Sequence, residues 1–268
     1  MPSSEDGTGF RIAMLFRRQD RQSPPPPPRP ARGEWVDLAL EAETLKVEIR
    51  RHPSAQRLTL RVRAASRDVT LTAPPHVSYA SAAAFVQRHR EWVRVRLGRL
   101  PENVPFADGA LVPVRGVVHR IDHRPEARGT VWIEDGADGP LLCVAGEAPY
   151  VARRVGDYLK RQARTDFAEA VRRHAAALNV QVGRITLRDT ASRWGSCSSD
   201  GSLSFSWRLI LAPGWVLDYL AAHEVCHRLE MNHSARFWRL VERIYPERRA
   251  AEAWLRQNGA GLHRYGAE

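Results

Sequence analysis

The chain has 268 residues, 43% of them hydrophobic, which is ordinary globular composition and material for one large or two modest domains. No apolar run approaches the ~20 residues that span a bilayer, and the first residues lack the basic start and apolar core of a signal peptide. These features exclude a helical membrane protein and lead to the expectation of a cytoplasmic one. The formal net charge of +11 is almost entirely arginine, with Lys46 and Lys160 the exceptions, and it is spread along the chain. Such dispersion is weak grounds for a nucleic-acid partner, although contact with nucleic acid stays open. Three scattered cysteines, Cys143, Cys197 and Cys226, form neither a disulfide framework nor a four-cysteine zinc ribbon.

Residues 1–33 contain prolines at 24–28 and at 30 and read as a disordered proline-rich tail. Residues 34–146 read as a β-rich part with one helix. Leu45, Val47 and Ile49 alternate with polar neighbours, as do Leu58, Leu60 and Val62, and then Val69 and Leu71. Ser78 is placed to cap a helix that runs through Val93 to Leu97, with His89 as a structural histidine on its apolar side. Residues 110–145 return to short strands, with turns at Gly116, Asp135-Gly136 and Asp138-Gly139. His119 and His123 are also four apart, but they lie in that strand-like context and read as surface residues.

Residues 147–268 read as the catalytic domain, with the β-rich part before it either a domain of its own or an extension of the same one. A long helical pattern runs through Val151, Val155, Leu159, Ala163, Phe167 and Val171 to Asn179. Two strands come next, at 184–188 and 203–210, the second with Leu203, Phe205, Trp207 and Leu209 on one apolar face. Asp200-Gly201 marks a turn before it. No internal sequence repeat stands out.

The most informative stretch is His223-Glu224-Val225-Cys226-His227, with His233 shortly after it. Pro213 starts the helix that carries it, and Val216 and Leu220 continue the helical spacing into the motif, the pattern of an amphipathic helix half buried against a core. Four residues make about one helical turn, so His223 and His227 project from one face and can grip one metal ion. Glu224 lies beside them, placed to take a proton from an attacking water. Catalytic zinc commonly has three protein ligands, and His233 is the natural third if the helix ends between it and His227. Asn232 suits that helix end, and Ser234 suits the cap of a helix over 235–245. Pro246 opens a last helix that Gly259 closes. Cys226 adjoins a ligand but points elsewhere on the helix.

Taken together, several segments resemble the YgjP-like metallopeptidase family, which is related to the SprT-like zinc proteases. They are Arg193-Trp194-Gly195-Ser196-Cys197-Ser198, Leu203-Ser204-Phe205, Trp207-Arg208-Leu209-Ile210, the histidine motif, Glu230-Met231-Asn232-His233-Ser234 and Phe237-Trp238. The resemblance extends over residues 40–258. It implies an α+β fold: a zincin-like (minigluzincin-type) catalytic domain built on the HExxH helix, preceded by the β-rich part. It also implies Zn2+ on His223, His227 and His233 with Glu224 as general base. Ser206 stands where the family pattern leads one to expect Asn. Glu230 occupies the position where the metzincin motif has glycine, so that assignment is not made.

The expected activity is hydrolysis of peptide bonds in a protein or peptide substrate by water that zinc activates. Arg193, Ser196 and Arg236 are candidate substrate or oxyanion donors by their nearness to the motifs. An extended peptide is expected to add itself as a strand along the edge formed by residues 193–210. One rival reading is a metal-dependent nucleotide pyrophosphatase or phosphohydrolase using the same site, for which arginine-rich walls would suit phosphate. The chain has no phosphate-binding GxxxxGK[ST] loop to support it. Another rival is a nucleic-acid-associated protease, which would show steep salt dependence of binding.

Overall fold

The computed structural model describes residues 33–40, 44–63, 67–100, 102–190 and 192–266. The expected tail lies outside the described residues except for Gly33. The described chain divides into two compact units, residues 33–105 with 263–266, and residues 106–262.

In the first unit the predicted alternation folds as four strands: β1 (Glu34–Ala39), β2 (Thr44–Arg51), β3 (Thr59–Val62) and β4 (Val69–Ala73). The sheet order is β1-β2-β4-β3, with the central pair parallel and both outer pairs antiparallel. Side chains two apart share a face, so Val36, Leu38, Val47, Ile49 and Leu71 are buried together. Two helices contribute Val86, Val93 and Leu97 to the same core: α1 (Tyr79–Arg88) and α2 (Arg90–Gly98). Ser78 caps α1 as expected, its hydroxyl accepting from the Ser81 amide at 3.1 Å. The single helix predicted here is broken at His89, whose backbone leaves helical geometry at φ −98° and ψ 17°. The His89 ring is satisfied locally, with Nδ1 2.9 Å from the Phe85 carbonyl.

The second unit opens with β5 (Leu111–Val114), β6 (Val117–Arg124), β7 (Val131–Gly136) and β8 (Gly139–Ala145). Their order, β5-β6-β8-β7, and the sense of each pairing repeat those of the first sheet. Each sheet is succeeded by helix. The repeat lives in strand order and not in residue identity, which is why the sequence shows no trace of it. Gly116 and Gly139 take positive φ, 83° and 114°, at the predicted turns. His119 is buried, not at the surface, because its Nδ1 is satisfied by the Val117 carbonyl at 2.8 Å. His123 is half-buried and bonds the Gly146 carbonyl.

Helix α3 (Val151–Leu178) buries the predicted stripe and ends on Asn179 at φ 51°. This helix packs both on the sheet before it and on segments between residues 185 and 226. The compact unit therefore starts at Phe106, taking in the strands before residue 146 together with the helices after it. Three short strands come next, β9 (Ile185–Arg188), β10 (Gly195–Cys197) and β11 (Leu203–Ser206), in the order β10-β11-β9. β10 is antiparallel to β11, and β9 is parallel to it. The strand predicted to reach Ile210 stops at Ser206, and residues 207–211 form a tight 3-10 turn with all five residues buried. Leu209, Ile210 and Leu211 are three consecutive apolar residues, and an alternating strand would have exposed one of them.

Helix α4 (Gly214–Cys226) runs through the middle of this unit, touching α3, β10, α5 (Ala235–Ile244) and α6 (Arg248–Asn258). It is buried nearly all round from Val216 to Cys226, where the sequence pattern led one to expect a half-buried amphipathic helix. The three cysteines are free and buried. Among the described residues no helix is long and apolar enough to cross a membrane.

Candidate metal centre

His223 and Glu224 lie in the last turn of α4, and His227 is the residue on which the helix ends. The chain leaves through short-range bonds, Arg228 N to Val225 O at 3.0 Å and Glu230 N to Cys226 O at 3.1 Å. The end comes earlier than Asn232, which does not take positive φ; among the described residues only Arg67, Arg115 and Asn179 do so without being glycine. The turn carries His233 back over the helix end. Ser234 then caps α5 as predicted, accepting from the Phe237 amide at 3.3 Å.

The result is a cluster of His223, His227 and His233, each offering a ring nitrogen, with those atoms all within 4.8 Å of one another. His223 Nε2 and His233 Nε2 are 3.1 Å apart. His227 Nδ1 lies 3.1 Å from the Glu230 carbonyl, which as an acceptor fixes the proton on Nδ1 and leaves Nε2 a lone pair. Phe237 is fully buried and packs against all three rings, at centroid distances of 4.9, 4.5 and 4.7 Å. Trp238 covers His223 and His233 at 5.8 and 5.7 Å.

The electrostatics favour neutral imidazoles, the form that ligates metal. Burial, then repulsion from His227, His233 and Arg248, holds His223 well below the ordinary histidine value. Burial lowers His227 against an opposing pull from the Glu230 carbonyl. Burial, with a contribution from His227, brings His233 down to about 4. Three neutral nitrogens converging on one point, with ring orientations fixed by packing, fit a divalent ion that accepts imidazole ligands.

Glu224 is 4% exposed, and burial pushes its carboxyl up to about 8, opposed by the positive charge of Arg193. Its side chain sits under β10, where a Cβ on Gly195 would overlap the carboxylate. That residue must be small for Glu224 to stand where it does. The sequence motif identified Gly195 only as part of a resemblance.

The other predicted site residues are placed differently. Arg193 is exposed and near enough to act on Glu224. Ser196 neighbours Gly195 on β10, so strand alternation turns its side chain to the opposite face from Glu224. Arg236 lies in the first turn of α5, 70% exposed and 4.0 Å from Glu230. A surface hollow of about 580 Å³ between α3 and the α5–α6 turn includes His174 and Asp218 but none of the three clustered histidines. Sequence reasoning gave no role to Phe237, Tyr219 or Glu252. Tyr219 stands one helical turn before His223, a spacing that could have flagged it; Glu252 has no local signal.

A mixed α+β domain with three convergent imidazoles and a buried carboxylate is the equipment of a metal-dependent hydrolase. The YgjP-like metallopeptidase domain matches residues 56–258, more than half of the chain, which therefore belongs to that family and is a metallopeptidase. The family implies a metal, and the histidine cluster is a site that could bind it. No curated protein and no solved structure matched the chain.

Proposed function

We propose that this chain is a zinc-dependent metallopeptidase with a zincin-like, minigluzincin-type catalytic domain. In this reading His223, His227 and His233 hold the zinc and Glu224 is the general base. The observation that carries it is the convergence of three ring nitrogens within 4.8 Å beside a carboxylate that burial pushes up to about 8. Bound there, zinc supplies Lewis acidity toward the scissile carbonyl and the attacking water. Glu224, a buried carboxylate beside the histidine cluster, takes the water's proton and delivers it to the leaving amine. Arg193 supplies positive charge at the mouth of the site, where it suits a developing oxyanion or a substrate carbonyl.

The substrate is a protein or peptide lying along the outer edge of β10, which pairs with β11 on its inner side. The bonds Ser206 N to Trp194 O at 2.8 Å and Ser198 N to Ser202 O at 3.0 Å give Trp194, Ser196 and Ser198 the inward-facing backbone positions. Gly195 and Cys197 therefore offer their amides and carbonyls outward, directly above Glu224. An extended peptide hydrogen-bonded to that edge would present its carbonyl to the histidine cluster.

Elemental analysis combined with an unbiased peptide-library digest tests the proposal. One zinc per chain and defined cleavage sites are expected. Glu224→Gln should keep the zinc and lose at least ~10²-fold in kcat. A zinc-loaded chain that hydrolyses nucleoside triphosphates and leaves the library intact would replace the peptidase by the phosphohydrolase reading.

A further inference from the structure

Two of the three clustered histidines are oriented by different means. His227 is held by a backbone carbonyl, which no substitution removes. His223 is held by side chains. Its Nδ1 lies 3.4 Å from the hydroxyl of Tyr219, one helical turn earlier on the same face of α4. That hydroxyl donates to Glu252 Oε1 on α6 at 3.0 Å. A phenol has one proton, so once it is given to Glu252 the oxygen is left to accept, and the partner positioned to donate is His223 Nδ1–H. With its proton on Nδ1, His223 keeps a lone pair on Nε2, the atom 3.1 Å from His233 Nε2.

Glu252 is itself held in place. Arg248 Nη1 donates to Glu252 Oε1 at 3.0 Å, while Arg248 Nε donates to Glu242 at 2.9 Å. The Arg248 guanidinium lies over the Trp238 ring, 4.5 Å from its centroid, and that ring covers the histidines. The side chains of Arg248 and Glu252 are 14% and 19% exposed, and Tyr219 is 2% exposed. Water therefore has little access to break the chain of bonds.

We infer that Glu252, anchored by Arg248, is a positioning residue that acts through the Tyr219 hydroxyl to fix the tautomer and orientation of His223. The carboxylate–phenol–imidazole chain tunes the affinity of the site for its metal and the geometry in which the metal is held. This rests on the reading of His223, His227 and His233 as metal ligands. The rival role for the Tyr219–Glu252 bond is to dock α6 on α4 and nothing more. That role would move the stability of the metal-free protein and leave metal affinity alone.

The test measures zinc affinity by chelator competition and the visible spectrum of the cobalt-loaded protein, for the full chain and its variants. The wild type should take up one zinc. Tyr219→Phe keeps the ring that packs on Tyr245 and loses only the hydroxyl, and it should weaken zinc binding about 10- to 100-fold and shift the cobalt bands. Glu252→Gln retains an acceptor and should show a smaller loss. The double variant should bind zinc no more weakly than Tyr219→Phe alone, because the carboxylate acts through the phenol. A Tyr219→Phe protein with wild-type zinc affinity and an unchanged cobalt spectrum overturns the inference and leaves the metal reading standing. Additive losses in the double variant also overturn it, since Glu252 would then act without Tyr219. A wild-type chain that takes up no zinc overturns the metal reading itself.

Discussion

Gly195 and Glu224 meet at a contact with no slack. A methyl group at position 195 would lie 2.9 Å from Glu224 Cδ and overlap the carboxylate oxygen, so the acid must shift. If Glu224 is the proposed general base, Gly195→Ala should cut kcat about 100-fold, the usual cost of misplacing a catalytic group by an ångström, while zinc content stays whole. Retention of near wild-type turnover would mean that the carboxylate can move without penalty. The same burial has a consequence for stability in the metal-free protein. The folded value of Glu224, about 8, lies above its ordinary 4.5, so protonation favours the folded chain. That contribution is complete below pH 4.5 and is lost as pH rises through 8. The three histidines act in the opposite sense, because their lowered values cost stability as pH falls below 6.5. They are common to wild type and Glu224→Gln, so the difference between the two proteins isolates the carboxylate. In chelator, the melting temperature of the wild type should fall relative to Glu224→Gln by several degrees between roughly pH 5 and pH 9. Parallel melting curves over that range would show that Glu224 ionises in the fold at no cost.

β10 is three residues long, yet it sets the geometry of the proposed substrate edge. Proline at Ser198 would remove its bond to Ser202 and damage the β10–β11 pair itself, so it cannot probe the outer edge. Modified peptides do so without touching the enzyme. Methylating the substrate backbone nitrogen opposite Gly195 or Cys197 should raise KM about 2- to 10-fold for each hydrogen bond lost, with kcat little changed. The same methyl groups elsewhere in the peptide should have no effect, and equal sensitivity at every position would remove strand addition from the account. Elements differ in how plainly the sequence declares them. The start of α5 was legible because Ser234 caps it through a local hydrogen bond, and the end of α3 because Asn179 tolerates left-handed geometry. The pairing of the histidines needed only helical periodicity. The end of β11 was not legible, since the alternation of Phe205, Trp207 and Leu209 continues in the letters while the backbone turns into a 3-10 coil. Nor was the burial of α4 on all sides, which depends on what α3, α5 and α6 bring against it. Glu252 reaches Tyr219 across 33 positions, a distance over which no local pattern speaks.

The whole molecule consists of two compact units, and all three clustered histidines belong to residues 106–262. In the sequence, residue 146 marks a shift from strands to helix. The physical unit is decided by which elements share a core, and β5–β8 share theirs with α3. This division determines where the stabilisation by metal enters. An ion that binds only the folded state adds RT ln(1 + [L]/Kd), about 4 kcal/mol at a thousandfold excess over Kd. Its proposed ligands come from the end of α4 and the turn into α5, so removing it would withdraw support from those elements directly. We predict that chelation lowers the melting temperature of the full chain. Hydrogen exchange should then accelerate most in residues 214–244, next in β10, which packs on α4, and in β11, which pairs with it, and least in β1–β4. His227→Ala should reproduce the pattern without chelator, while Glu224→Gln, which keeps all three proposed ligands, should not. An equal loss of protection across both units would show that they unfold as one cooperative body, with the energy of the metal site spread over the entire chain.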